Sequence, residues 1–189
     1  IFQKKIINKK FDFIFSFRSY IILNERVLNS VKYFSVNFHP GPPNYRGIGC
    51  VNYALFDKKK FYGVTSHIMV KKVDYGNIIH VIRFPIKKND TVDSLLKESY
   101  TQQIKQIKYV VSLILKNPQN INKLLSNFKN EKWSKKIKNR NDLNKFYEIN
   151  KNISKKNLLL KLKSTESNFF KPYIKIHNKK FYYKNKNND

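Results

Sequence analysis

Residues 33–39 (Tyr33, Phe34, Ser35, Val36, Asn37, Phe38, His39) are a mostly β-favouring run that meets Pro40-Gly41-Pro42-Pro43 with no spacer. Proline lacks the amide hydrogen of a sheet ladder and fixes φ, so the strand cannot continue through this turn. Side chains two apart on a strand share a face, so Asn37 and His39 project together where the backbone leaves the sheet. Open α/β sheets hold their ligands at that end of their strands. The same pair at a strand end also serves simply to satisfy loop backbone, and the pair alone does not separate the two readings.

A third residue favours chemistry. Val64-Thr65-Ser66-His67-Ile68-Met69-Val70 reads as another strand, and it leads into Lys72-Val73-Asp74-Tyr75-Gly76. A carboxylate in that tight turn, hydrogen-bonded to His39, would fix the imidazole tautomer and raise its basicity.

Asn37-x-His39-Pro40 with Tyr45-Arg46-Gly47, then Gly63-Val64-Thr65, then Val73-Asp74-x-Gly76, resembles the folate-dependent formyltransferase family. Its members act on methionyl-tRNA, glycinamide ribonucleotide or nucleotide sugars. The resemblance is specific over residues 11–86 and thinner beyond. It implies a Rossmann-like α/β domain, N10-formyltetrahydrofolate as formyl donor and a catalytic triad of Asn37, His39 and Asp74. It places the pterin ring against Ile21, Ile22 and Leu23 and against Val70, Lys71, Lys72, Val73 and Asp74. Read on their own, residues 21–23 serve equally as core residues at a helix entry. The Gly41-Pro42-Pro43 turn, followed by Gly47-Ile48-Gly49-Cys50, is most similar to the nucleotide-sugar N-formyltransferases. The resemblance thus implies a nucleotide-linked amino sugar as acceptor, with transfer to tRNA or glycinamide ribonucleotide as the second reading. A homodimer is left open.

The 189 residues suffice for one good core and a small appendage. The net charge of +27 invites a nucleic-acid reading. Against it, the excess is spread along the chain, +11 over residues 1–90 (16 basic, 5 acidic) and +16 over the rest (23 basic, 7 acidic). It is mostly Lys accompanied by Asn and Ile, and Arg, the better reader of phosphates and bases, is scarce. A basic nucleic-acid-binding protein, with the triad a coincidence, stays as the alternative of another class. The charge would also attract a nucleotide sugar or a polyglutamylated folate. No apolar run approaches the ~20 residues of a membrane helix, and no signal-peptide pattern opens the chain. The one cysteine, Cys50, fits a reducing cytoplasm. It follows Gly49 at a helix start, no histidine partner is implied for it, and it reads as a small buried residue. No His, Cys and carboxylate spacing argues for a metal.

Along the chain, residues 1–10 read as the tail of a helix and 11–17 as a strand buried on both faces. A short helix capped by Asn24, the strand over 33–39, and a helix over 49–56 follow. Strands over 62–70 and 77–86 read as an antiparallel hairpin on which His67 and His80 are sheet-face histidines. Residues 90–116 form a long amphipathic helix across the sheet, from Val92, Leu95, Leu96, Ile104, Ile107, Val110, Val111 and Ile114. The catalytic domain is assigned to residues 1–116. A small helical and hairpin region over 117–183 holds Trp133, helices over 141–150 and 154–163, and a hairpin around His177-Asn178-Lys179. Residues 184–189 read as a disordered tail. The sequence opens on Ile1, its one Met is Met69, and the family carries strand and helix units ahead of residue 11. The first strands are therefore expected to be missing, and an inactive fragment is a further alternative.

Overall fold

The computed structural model describes residues 2–7 and 9–184. The elements in order are α1 (Phe2–Ile7), β1 (Phe13–Phe17), α2 (Glu25–Asn29), β2 (Phe34–His39), β3 (Arg46–Gly47) and α3 (Cys50–Phe56). There follow β4 (Phe61–Ile68), β5 (Ile78–Pro85), α4 (Val92–Lys116), α5 (Asn120–Asn127), β6 (Ile137–Lys138) and α6 (Arg140–Tyr147). The chain closes with α7 (Lys155–Thr165), β7 (Tyr173–Ile176) and β8 (Lys179–Tyr182). Residues 185–189 of the expected tail lie outside the described residues.

The α/β architecture expected from the sequence is present. Its centre is a four-stranded sheet ordered β1-β2-β4-β5. β1 and β2 are parallel and joined through α2, whose N-cap Asn24 accepts from Val27 N. β4 and β5 form the expected antiparallel hairpin. What the sequence did not supply is that β4 lies between β2 and β5 and runs antiparallel to β2 as well, with Asn37 opposite His67 and His39 opposite Thr65. Facing residues of an antiparallel pair point to the same side of the sheet. Asn37, His39, Thr65 and His67 therefore share one face, and Val36, Phe38 and Val64 occupy the other.

That second face is the core, covered by α3 and α4. Val51, Ala54, Leu55, Tyr62, Val64, Phe84 and Leu95 pack in one cluster, and Val36, Phe38, Ile79, Val110, Ile114 and Leu124 in another. Thr91 and Ser94 cap α4 reciprocally. The buried stripe of α4 departs from the apolar expectation in mid-helix. Ser99, Gln103 and Gln106 are fully buried there, whereas Ile104 is about half exposed. Gln103 Nε2 donates to Phe38 O at 2.7 Å and Gln106 Nε2 to Val64 O at 3.3 Å, so the helix satisfies carbonyls that β2 and β4 present to it.

Three further features were not foreseen. Residues 21–23 belong to no helix: Ile21 and Ile22 lie exposed in the loop after β1, so the helix-entry core reading does not hold. Residues 120–127, for which no element was expected, form α5, which buries Leu124. Residues 46–47 pair with 137–138 as a small parallel ladder, which ties the loop after the proline turn to the segment carrying Trp133. The expected C-terminal hairpin turns at His177 and Asn178, both at positive φ as a two-residue hairpin loop requires.

Candidate active site

The proline turn, the β4–β5 connection and the Trp133 segment meet over the sheet face that carries Asn37 and His39. Asp74 occupies the left-handed region at φ 49°, which a short carboxylate side chain tolerates better than most. Its backbone carbonyl accepts from Arg46 Nε at 2.7 Å, and Arg46 Nη1 donates to Ser134 O at 3.0 Å. The buried Arg46 thus fastens the aspartate turn to the Trp133 segment. Gly47 donates its N–H to Asp74 Oδ2 at 3.0 Å. At φ 84°, and with Lys138 O only 2.0 Å from where a Cβ would stand, that position admits only glycine.

The three residues singled out in the sequence do converge, and a fourth joins them. Asp74 Oδ2 lies 3.4 Å from His39 Nδ1 and Asp74 Oδ1 lies 3.4 Å from His67 Nε2, all three side chains being buried. His67 Nδ1 faces its neighbour's carbonyl, Ile68 O, at 2.9 Å and donates to it. Its Nε2 lies between Asp74 Oδ1 at 3.4 Å and the Asn37 amide nitrogen at 3.2 Å. The Asn37 amide is thereby held against the imidazole. Trp133 lies edge-on to both imidazoles, with ring centroids 5.7 Å from His39 and 5.1 Å from His67, and donates Nε1 to Gly76 O. The sheet-face reading of His67 is right, but alternation along β4 alone could not show its contact with Asn37. That contact comes from the pairing of β4 with β2.

Burial pushes the His39 imidazole below its ordinary value; Asp74 and the Tyr45 carbonyl act upward without overcoming it. Asp74 does raise the basicity of His39, as expected, but desolvation of a fully enclosed ring outweighs one neighbouring carboxylate and leaves the imidazole less basic than usual. Burial of Asp74 acts upward on its carboxyl, but His39, His67 and the Gly47 N–H together hold it down at about 2. His39 Nε2 is 2.8 Å from Tyr45 O and 3.6 Å from Cys50 Sγ. Cys50 therefore does have a histidine neighbour, contrary to the sequence reading. Burial pushes its thiol far up, so it stays a packed, uncharged side chain.

A small slot of about 120 Å³ opens beside the triad. Ile21, Ile22, Leu23, Val70, Lys72, Val73 and Asp74 line it, with Asn37 and His67 at its inner end. Of the residues named for the pterin, only Lys71 is outside it; its ammonium pairs with Glu25 at 3.2 Å on the surface. His39 is not on the slot wall. Among the described residues no group of His, Cys, Asp and Glu could hold a metal ion. No helix among them is long and apolar enough to cross a membrane.

The site thus lies at a strand end of an α/β sheet, with Asn37 and His39 from the strand and Asp74 from a turn beside it. Residues 2–111 match the formyl transferase family, and the chain belongs to that family. It is 37% identical over 110 residues to the bifunctional polymyxin resistance protein ArnA of Wigglesworthia glossinidia brevipalpis, covering 58% of this chain and 17% of that protein. It is 40% identical over 75 residues to the methionyl-tRNA formyltransferase of Macrococcus caseolyticus, covering 39% of this chain and 24% of that one. In structure it is similar to the N-formyltransferase of Helicobacter canadensis solved with folinic acid and dTDP-3-aminofucose. That match has a TM-score of 0.67 and 22% identity, over 95% of this chain and 64% of that one. The chain thus spans a quarter or less of the length of both curated relatives.

Proposed function

We propose that this protein transfers a formyl group from N10-formyltetrahydrofolate to the amino group of a nucleotide-linked amino sugar. The observation that carries the reading is the slot. Two stretches of chain that the resemblance assigned to the pterin, residues 21–23 and all of 70–74 except Lys71, line one hollow together with Asn37. The Helicobacter protein, solved with a folate and a nucleotide-linked amino sugar, supports the choice of donor and acceptor class.

In this reading the acceptor amine attacks the formyl carbon and a tetrahedral oxyanion forms. The Asn37 amide N–H stabilises that oxyanion, a contribution of roughly 3–4 kcal/mol, or ~10²–10³ in rate. His39 takes the proton released by the amine and returns it to the departing folate nitrogen, typically worth ~10²–10⁴. Its two nitrogens face Asp74 and Tyr45 O, so one of these contacts opens as the acceptor arrives. Asp74 holds the imidazole and stays anionic throughout.

The methionyl-tRNA relative favours a second reading, transfer to an aminoacyl-tRNA. Turnover with N10-formyltetrahydrofolate and a panel of nucleotide-linked amino sugars, beside methionyl-tRNA and glycinamide ribonucleotide, tests both. Formylation of the sugars alone is expected; formylation of tRNA alone would overturn the proposal.

A further inference from the structure

The loop between β1 and α2, residues 18–24, forms one wall of the slot through Ser19, Ile21, Ile22 and Leu23. Neither strand pairing nor deep burial holds it: Tyr20, Ile21 and Ile22 are exposed. Arg18 enters it at φ 49°, with its guanidinium 3.9 Å from the centre of the Tyr100 ring. Within the loop, Ser19 Oγ accepts from Ile21 N.

One side chain from outside grips the main chain of this loop. Gln3, on α1, donates Nε2 to Ile22 O at 2.9 Å, and its Oε1 accepts from Asn24 N at 2.9 Å. No other side chain from outside the loop bonds to its main chain among the described residues. A trans peptide unit is planar, and its C=O and N–H point opposite ways. Holding Ile22 O therefore turns the Leu23 N–H away from Gln3. Holding the Asn24 N–H turns the Leu23 C=O away as well. Neither Leu23 group has a hydrogen-bond partner among the described residues. Leu23 lines the slot, and Gln3 does not. Leu23 thus presents a donor and an acceptor side by side, and a residue outside the slot sets their direction.

We infer that Gln3 is a positioning residue for the formyl donor: one side-chain amide fixes both main-chain groups of Leu23 and so sets how tightly the slot binds a reduced folate. A loop not held in advance would have to be ordered by the ligand, at a cost in affinity. The inference deepens the proposed function and rests on it for the identity of the ligand.

Gln3→Leu removes both hydrogen bonds and keeps a side chain of similar size. Titration calorimetry should show folinic acid bound about tenfold more weakly by this variant than by the native chain. KM for N10-formyltetrahydrofolate should rise by the same factor, with kcat and the KM for the amino sugar within about twofold. Gln3→Glu keeps the acceptor for Asn24 but sets a second oxygen against Ile22 O, and it should bind no better than Gln3→Leu. Amide hydrogen exchange separates positioning from folding. In the native chain the Leu23 N–H should exchange fast until folinic acid is added, and the Asn24 N–H slowly. In Gln3→Leu the Asn24 N–H should speed up while the β2 and β4 amides keep their protection. Equal folinic acid affinity in Gln3→Leu, a fall in kcat at unchanged KM, or lost protection across β2 and β4 would overturn the inference. A native chain that binds no folinic acid would overturn the slot reading and this inference together. Folinic acid binding that depends on Gln3, without formylation of any amino sugar, would support the inference and remove only the acceptor reading.

Discussion

Asn37 and His67 face each other across β2 and β4, with the histidine Nε2 3.2 Å from the asparagine amide nitrogen. This contact holds an amide that lines the slot. Replacing His67 by Phe removes the ring nitrogen while keeping a flat ring beside Trp133. A fall in kcat of about tenfold to a hundredfold is expected, with KM for the folate little changed. Asn37→Ala should cost ~10²–10³ in kcat. The double variant should cost no more than Asn37→Ala alone, because both act through the Asn37 amide. Additive losses would show that His67 acts in some other way.

His39→Ala and Asp74→Asn should each abolish formyl transfer while leaving a folded chain, as judged by far-ultraviolet circular dichroism. Asp74→Asn keeps the shape of the turn but removes the anion between two imidazoles. Full turnover in either variant would refute the triad.

Stability should fall in two stages on acidification. His39 is held below its ordinary 6.5 by burial, and His80, buried near Tyr109 and Phe128, shifts the same way. Below about pH 6.5 the unfolded chain takes up protons that the folded chain resists, so stability declines. Asp74 is held down at about 2 from 3.8. Its contribution, on the order of 2 kcal/mol, is complete above about pH 4 and lost as the pH falls through about 2. Urea midpoints followed by Trp133 emission from pH 8 downward measure both stages, and Asp74→Asn should remove the lower one. A flat midpoint between pH 7 and 5 would contradict the histidine assignment.

Gly41 packs where no side chain fits. A Cβ there would stand 2.7 Å from His39 Nε2 and 3.0 Å from Cys50 Cβ. Gly41→Ala should therefore cost roughly 1–3 kcal/mol in stability and reduce kcat by displacing the imidazole. The same variant should leave folinic acid binding intact, since Gly41 is not on the slot wall. Unchanged turnover in Gly41→Ala would show that the ring tolerates a shift.

Much of the architecture could be read locally. The end of β2, the shared face of Asn37 and His39, the Asn24 cap, the β4–β5 hairpin and the His177-Asn178 turn all follow from short-range rules. Those rules concern dihedral preference and side-chain period, which a few neighbouring residues fix. Residues 120–127 and the Gln103–Gln106 stretch of α4 escaped them because their burial depends on partners elsewhere in the chain.

The residues at the strand end and in the aspartate turn were thus written into the chain, as was its membership of a known family. Folding added the partners: His67 opposite Asn37, Cys50 beside His39, and Trp133 over both imidazoles. Cys50 reaches His39 through the fold of the proline turn between them, whereas the other two are contacts between segments far apart in the chain. Their existence rests on which segment lies next to which and in what register, and summed burial over the whole sheet, not the preference of any one stretch, selects that.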